Sequence, residues 1–355
     1  METSDYLIVG LGLAGVSLCE MLEAENISFK VIDSDRSNAS KVAGGLYNPI
    51  VLKRFTPIWE AENQMAFAAH FYNKLEQKLQ QKLDYKINVV RKFANLQEIE
   101  KWKAVSKQEI LKNYMWPEPL KNNNSHIRAI HGLGCVEKTG RVDTEKLIDS
   151  YKSYLFQQNK IQTATFDYTA LKCKNQKIVY KDTVYKRIVF AEGMQLTNNP
   201  YFNYLPLIPN KGQLVEFESK KLCLNHILKG PVFIIPLEND RYLCGSTYER
   251  SFENEMPTKE GLDDLLEKLN TMVDTDIEVL RHYAGIRPTV KDRRPLVGKH
   301  PVFSQLYVLN GMGTRGVLLA PSMANTLFQH IEKGLPLPKE IDIKRYQHYR
   351  ESEAL

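Results

Sequence analysis

The stretch from Asp5 to Asp33 reads DYLIVGLGLAGVSLCEMLEAENISFKVID. Tyr6 to Val9 is an apolar run of strand length, Gly10, Gly12 and Gly15 complete a G-x-G-x-x-G, and Val16 to Ala24 continues with helix formers. Phe29 to Ile32 reads as a second strand with Asp33 at its carboxyl end. In a strand–turn–helix unit of this kind Gly10 makes the turn, Gly12 lets backbone approach a pyrophosphate, and Gly15 lets the helix pack close on the strand. The helix N-terminus offers free N–H groups to phosphates, and Asp33, 18 residues after Gly15, is placed to accept from a ribose hydroxyl. The pattern points to a dinucleotide site. The competing reading is a glycine-rich turn in another α/β unit, with Asp33 a solvated acid.

Working outward, SDRSNASKVAGGLYNPI (34–50) turns from polar to small, and the Gly44-Gly45 pair suits a backbone passing close to a flat ligand, or a plain surface loop. Met65, Ala68, Tyr72, Leu75, Leu79 and Leu83 predict a single amphipathic helix over 62–85 with its apolar face in the core. A strand over 87–93, a helix over 98–111, a turn-rich break at WPEPLKNNNSH, a strand over 131–136 and a helix over 143–157 capped by Asp143 or Thr144 follow. Strands are expected over 163–166, 177–179 and 184–190, the last running into Ala191, Glu192 and Gly193. Residues 211–217, 231–236 and 241–246 read as antiparallel strands, and Leu262, Leu265, Leu266, Leu269 and Val273 as one face of a helix. A strand over 306–310, the loop GMGTRG (311–316) and a helix ended by Gly334 close the chain. Pro321 argues for a late or irregular start to that helix.

At 355 residues the chain is long enough for two domains. Apolar residues at 43% and charged residues at 25% are ordinary for a soluble globular protein. The net charge of +6 (48 basic, 42 acidic) is mild and scattered, so it permits an anionic partner without requiring one. Five cysteines without a C-x-x-C suggest reduced thiols in a cytoplasmic protein, and the eight histidines form no metal-ligand spacing. No apolar run approaches the roughly 20 residues that span a bilayer, and no signal-peptide pattern precedes the first strand.

Four segments in order, GLGLAG with Asp33, SKVAGGLYNPI (40–50), AGIRPTVKDRRPLVG (284–298) and GMGTRGVLLAP (311–321), resemble the D-amino-acid oxidase superfamily of FAD-dependent oxidoreductases. The third is similar to the pattern of glycine oxidases, the fourth to the oxidase domain of the bifunctional tRNA 5-methylaminomethyl-2-thiouridine biosynthesis enzyme. The resemblance implies an α/β fold with a Rossmann-like FAD-binding domain, and a smaller α+β substrate domain built on an antiparallel sheet. It implies that residues 1–50, 130–200 and 285–355 bind FAD noncovalently and that 51–129 and 201–284 bind substrate.

By the same resemblance, Gly10, Gly12, Leu13, Ala14, Gly15 and Asp33 hold the ADP half. Ser40, Gly44, Gly45 and Leu46 pass along the pyrophosphate and flavin edge. Tyr168, Ala191 and Gly193 border the nucleotide, and Gly313, Thr314, Arg315, Gly316 and Val317 approach the flavin. Arg287 holds a substrate carboxylate, a task suited to a planar fork of donors. Arg315 and Tyr248 are further substrate-side candidates, while Arg293 and Arg294 read as solvated or as contacts for a large anion. The implied chemistry is oxidation of the C–N bond of an amino acid or N-substituted glycine, driven by the flavin with no catalytic acid or base. One alternative is removal of a carboxymethyl group from a modified tRNA uridine. The other is a flavin-binding protein without catalysis.

Overall fold

The computed structural model describes residues 2–36, 39–174 and 177–349. The Glu2–Val9 strand is flanked on both sides by parallel partners, Phe29–Asp33 and Thr183–Phe190. That position explains its unbroken apolar run, since a central parallel strand is covered on both faces. Ile161–Thr163 extends the sheet beyond Phe29–Asp33. On the other side, Thr183–Phe190 pairs with Lys177–Tyr180 through its first half and with Leu306–Asn310 through its second. Leu296–Lys299 then pairs antiparallel with Leu306–Asn310. The helices Leu13–Ala24, Ala61–Leu79 and Gly316–Lys333 pack together over one face, and their buried leucines and valines form one core with Tyr6, Ile8 and Val31.

A second sheet of seven strands runs in the order Glu278–Val290, Leu207–Glu218, Arg241–Gly245, Phe233–Pro236, Ile227–Lys229, Val89–Lys92, Leu133–Val136. Only the Ile227–Lys229 and Val89–Lys92 pair is parallel. The Lys259–Asn270 helix covers one face, Leu265 and Leu269 packing with Val215, Phe217 and Cys244. Leu46–Tyr47, Gly140–Val142 and Asp84–Lys86 form a small third sheet. The expected α/β architecture, a parallel nucleotide sheet beside an antiparallel one, is the one the chain adopts.

Several boundaries differ from the sequence expectation. The helix expected over 62–85 ends at Leu79, where Gln80 turns left-handed at φ 51°. Glu76 reaches past that end to accept from the backbone N–H groups of Leu83 and Asp84 (2.7 and 2.8 Å), so Leu83 stays in the core while the chain enters a strand. The helix expected over 98–111 spans Leu96–Val105, capped by Asn95, whose side chain accepts from Glu98 N–H. The strand placed at 163–166 is Ile161–Thr163, and Phe166 instead stacks on the Tyr180 ring.

The final helix starts early, at Gly316, with Pro321 inside it. The carbonyl that Pro321 cannot serve is that of Val317, four residues before it. It accepts instead from the buried Tyr72 hydroxyl at 2.7 Å, which lets the helix continue unbroken.

Candidate functional site

Parallel strands end on the same side, and four of them deliver their following residues to one place. Glu2–Val9 is followed by Gly10-Leu11-Gly12, Phe29–Asp33 ends on Asp33 itself, Thr183–Phe190 leads to Ala191-Glu192-Gly193, and Leu306–Asn310 to Met312-Gly313. All of these line a single cleft of about 1040 Å³, bounded opposite by the antiparallel sheet through Leu214, Phe233, Tyr283 and Arg287. This is where ligands of open α/β sheets sit, beyond the strand carboxyl ends. The volume lies at the top of the usual range of about 300–1,000 Å³ for small-molecule sites, room for an extended dinucleotide with a small substrate beside it.

At the phosphate end, Gly10, Gly12, Leu13, Ala14, Asp33 and Ser40 line the cleft. Gly15 does not, and its task is packing: a Cβ there would lie 2.1 Å from the Gly10 carbonyl oxygen. The Leu13–Ala24 helix has Gly12 as its N-cap, no side chain of that residue to cap it and no acid in its first turn. Ser40 Oγ takes the Leu13 N–H at 3.2 Å. One Asp33 oxygen accepts from Leu11 N–H at 2.9 Å, which fixes the carboxylate at the cleft wall.

Further along, Gly44, Gly45 and Leu46 form one wall and Gly313, Thr314, Arg315, Gly316 and Val317 the other. The second wall is again a helix N-terminus without a side-chain cap and without an acid in its first turn. Two helix N-termini, the first with only its Leu13 N–H taken by Ser40 and the second without a side-chain cap, thus bring positive potential and N–H groups to one cleft, a donor set that suits the pyrophosphate and a negatively charged reduced ring.

Tyr168 and Ala191 also line the cleft, with Gly193 beside them. The Tyr168 hydroxyl donates to Glu192 Oε1 at 2.6 Å, and Asn199 Nδ2 donates to Glu192 Oε2 at 2.8 Å. Burial pushes the Glu192 carboxyl up to about 7 against the opposing effect of those two bonds. The sequence reading passed over Glu192 itself, although its neighbours were singled out. A strand-end acid ordinarily meets solvent, and nothing local to Ala-Glu-Gly signals burial.

Arg287 sits on Glu278–Val290, opposite Asn210 of the next strand. Its Nη1 donates to Asn210 Oδ1 at 2.7 Å, its Nη2 to Ser246 Oγ at 2.6 Å, and both reach the Thr247 carbonyl. Among the described residues no carboxylate pairs with it. Burial lowers its pKa, Tyr248 and Glu249 opposing, but a guanidinium stays charged in water-accessible clefts. Gly212 makes the geometry possible, since a Cβ there would fall 1.9 Å from Nη2.

Arg315 is lowered by burial and by the positive charges of Arg294 and Arg293. Arg294 lies over the Trp59 ring at 4.9 Å. Tyr248 does not line the cleft and is 58% exposed. The residues on either side turn inward, Thr247 buried and Glu249 bonded to Gln213 and Thr247, and Tyr248 is exposed between them, still near enough to Arg287 to raise the guanidinium pKa.

Among the lining residues that the sequence reading did not single out are His282 and Lys229. His282 has a buried Nε2 without a hydrogen-bond partner among the described residues, and burial lowers its pKa. Lys229 lines the cleft with its ammonium lowered by burial to about 8. None of the five cysteines lines the cleft. Among the described residues no group of His, Cys, Asp and Glu is arranged to hold a metal ion, and no helix is long and apolar enough to cross a membrane.

The family model described as "DAO: FAD dependent oxidoreductase" matches residues 5–329. Glycine oxidase of Bacillus subtilis is 30% identical over 142 residues, 38% of this chain and 38% of that protein. The tRNA 5-methylaminomethyl-2-thiouridine biosynthesis bifunctional protein MnmC of Legionella pneumophila is 26% identical over 231 residues, 55% of this chain and 33% of that protein. The chain thus matches little more than a third of the length of these curated relatives. Among solved structures, glycine oxidase from Bacillus cereus superposes with a TM-score of 0.77 at 21% identity, covering 94% of this chain and 96% of that one. Iminodiacetate oxidase from Chelativorans gives a TM-score of 0.78 at 17% identity, with 96% and 98% covered. At such identities the likeness is one of fold.

Proposed function

Because the chain belongs to the DAO family of FAD-dependent oxidoreductases, we propose that it oxidises the C–N bond of a small amino acid or an N-substituted glycine. The observation that carries this reading is Arg287, a largely buried guanidinium in the cleft whose hydrogen bonds go only to neutral groups, Glu249 lying near without pairing. A buried cation without a counter-ion is costly, and a substrate carboxylate would relieve it through two charge-assisted hydrogen bonds.

When bound, FAD supplies the two-electron acceptor for a hydride from the carbon beside the amine nitrogen, leaving an imine that water hydrolyses. The chain does the rest by placement. Gly10, Gly12, Leu13, Ala14, Asp33 and Ser40 would hold the nucleotide end, Tyr168, Ala191 and Gly193 bordering it. Gly44, Gly45, Leu46 and Gly313 to Val317 would hold the ring, with Gly15 keeping the first helix against its strand. Arg287 orients the substrate, worth several kcal/mol when reacting atoms are held in line. Leu214, Phe233 and Tyr283 wall the same region with apolar surface, which strengthens the electrostatic contacts by excluding water.

In this reading residues 1–50, 130–200 and 285–355 serve the cofactor and 51–129 and 201–284 the substrate, except that the Ala61–Leu79 helix packs on the nucleotide sheet, Leu133–Val136 belongs to the other sheet, and the Glu278–Val290 strand passes between the two. Anaerobic titration with glycine derivatives, D-amino acids and proline analogues tests it: at least one should bleach the flavin. If dithionite bleaches it and no amine does, the protein binds flavin without this catalysis.

A second reading enlarges the substrate to a tRNA bearing a carboxymethylated amine, itself an N-substituted glycine that Arg287 would serve equally. Its supports are the MnmC relatives and the cluster of Arg293, Arg294 and Arg315. Failure to retard tRNA at low salt would remove it.

A further inference from the structure

Lys229 shares a sheet face with Arg287, and the strand register gives the distance between them. Lys229 stands opposite Phe233, Phe233 opposite Gly245, Gly245 opposite Leu214, and Leu214 opposite Tyr283. Directly opposed residues project to one side of a sheet. Lys229, Phe233, Leu214 and Tyr283 all line the cleft. Arg287 is four residues beyond Tyr283 on the same strand, so it projects to that side as well. The two cations therefore face one cavity from opposite corners of its floor.

Among the described residues Lys229 has neither an ion-pair partner nor a hydrogen-bond acceptor. Its charged neighbours are engaged elsewhere, Arg91 with Glu98 at 2.8 Å and Lys268 with Asp264 at 2.6 Å. With its ammonium lowered only to about 8, Lys229 remains mostly protonated at neutral pH. A largely buried, unpaired ammonium on an apolar row of Phe233, Leu214 and Tyr283 is costly unless a ligand brings the counter-charge.

Four strand spacings of about 4.8 Å and four residues of about 3.4 Å place the two Cα atoms roughly 23 Å apart. Projecting to one side of the sheet, the charged ends then lie between about 10 Å apart, with both side chains leaning fully toward one another, and about 23 Å apart, with both upright. We propose that Lys229 binds a second anionic group of the substrate, which is then an amine carrying one carboxylate at Arg287 and a further carboxylate or phosphate at least about 10 Å away. This rests on Arg287 holding the first carboxylate. Glycine and its N-methyl derivative would fill only the Arg287 end, and Lys229 would select against them in favour of longer dianions.

The test is calorimetric and needs no turnover. Linear α,ω-dicarboxylic acids, ω-phosphono carboxylic acids and monocarboxylic acids of equal length are titrated into the FAD-loaded protein. At the chain length that spans the gap, a dianion should bind about tenfold more tightly than the monoacid. The ratio should fall toward one in Lys229→Gln and persist in Lys229→Arg. A tighter phosphono acid identifies phosphate as the second group, a tighter diacid a carboxylate. Equal affinities for dianion and monoacid at every length in the wild type, or an unchanged ratio in Lys229→Gln, overturn the proposal. Arg287→Ala separates the two readings: it tests monoacid binding itself, whereas only the dianion advantage reports on Lys229.

Discussion

Replacing Arg287 by alanine removes the fork that the cleft aims at a carboxylate. Two charge-assisted hydrogen bonds at about 1.5–3 kcal/mol each put the loss at roughly 3–6 kcal/mol, a fall in kcat/KM of about 10²- to 10⁴-fold. Most of it should appear in KM, because the carboxylate is held equally before and during reaction. Arg287→Lys keeps the charge but not the planar fork, and should lose about tenfold to a hundredfold. The structure offers an independent route to the same defect: in Gly212→Ala the added methyl would fall 1.9 Å from Nη2 and 2.2 Å from Cζ, so the guanidinium must leave its seat between Asn210 and Ser246. That variant retains Arg287 yet should raise KM in the same direction. Steady-state kinetics with a carboxylate amine and with its amide supply the comparison, with FAD content and melting temperature as controls for folding. A KM for the carboxylate substrate in Arg287→Ala within twofold of wild type would refute the assigned role.

Three further outcomes follow from particular contacts. Tyr72→Phe leaves the Val317 carbonyl without a donor in a helix where Pro321 cannot supply one, and should cost about 1–3 kcal/mol in urea unfolding; a loss under about 0.5 kcal/mol would mean the helix satisfies that carbonyl otherwise. Glu192, raised from 4.5 to about 7, binds its proton more tightly folded than unfolded, so its contribution to stability is complete below pH 4.5 and is lost as pH climbs to about 7. Glu192→Gln should therefore gain on wild type across that window, by at most about 3 kcal/mol, and parallel stability curves of the two proteins would contradict the shift. Gly15→Ala forces the first helix away from the Gly10 carbonyl and should lower FAD affinity more than tenfold by equilibrium dialysis of the apoprotein; unaltered affinity would show that the helix position is not what the cofactor needs.

What the sequence made legible was local or periodic. Asp5 to Asp33 could be read because a buried parallel strand, a tight turn and a close-packed helix each impose their own residue types within a few positions. The 62–85 helix was misjudged because Leu83 keeps the helical phase although the backbone has left it, held by Glu76 reaching round the helix end. Pro321 pointed to a late helix start, and its remedy comes from Tyr72, 245 positions away from Val317. At the candidate site, Arg287 stood out only through the family pattern. Its seat is assembled from Asn210, Gly212 and Ser246, tens of residues distant, and the exposure of Tyr248 near it depends on the pairing of Glu249 with Lys211. Lys229 ends a strand of three residues and reads as a solvated charge; only the cross-strand register turns it toward the cleft.

Anaerobic addition of N-methylglycine and longer N-substituted glycines to the FAD-loaded protein, followed in the visible flavin spectrum, bears most directly on the cleft as a site of amine oxidation. Stoichiometric bleaching by at least one carboxylate amine, abolished at the same concentration in Arg287→Ala, is the expected result. A protein that takes up no FAD, or whose flavin is reduced by dithionite but by no amine, would contradict it.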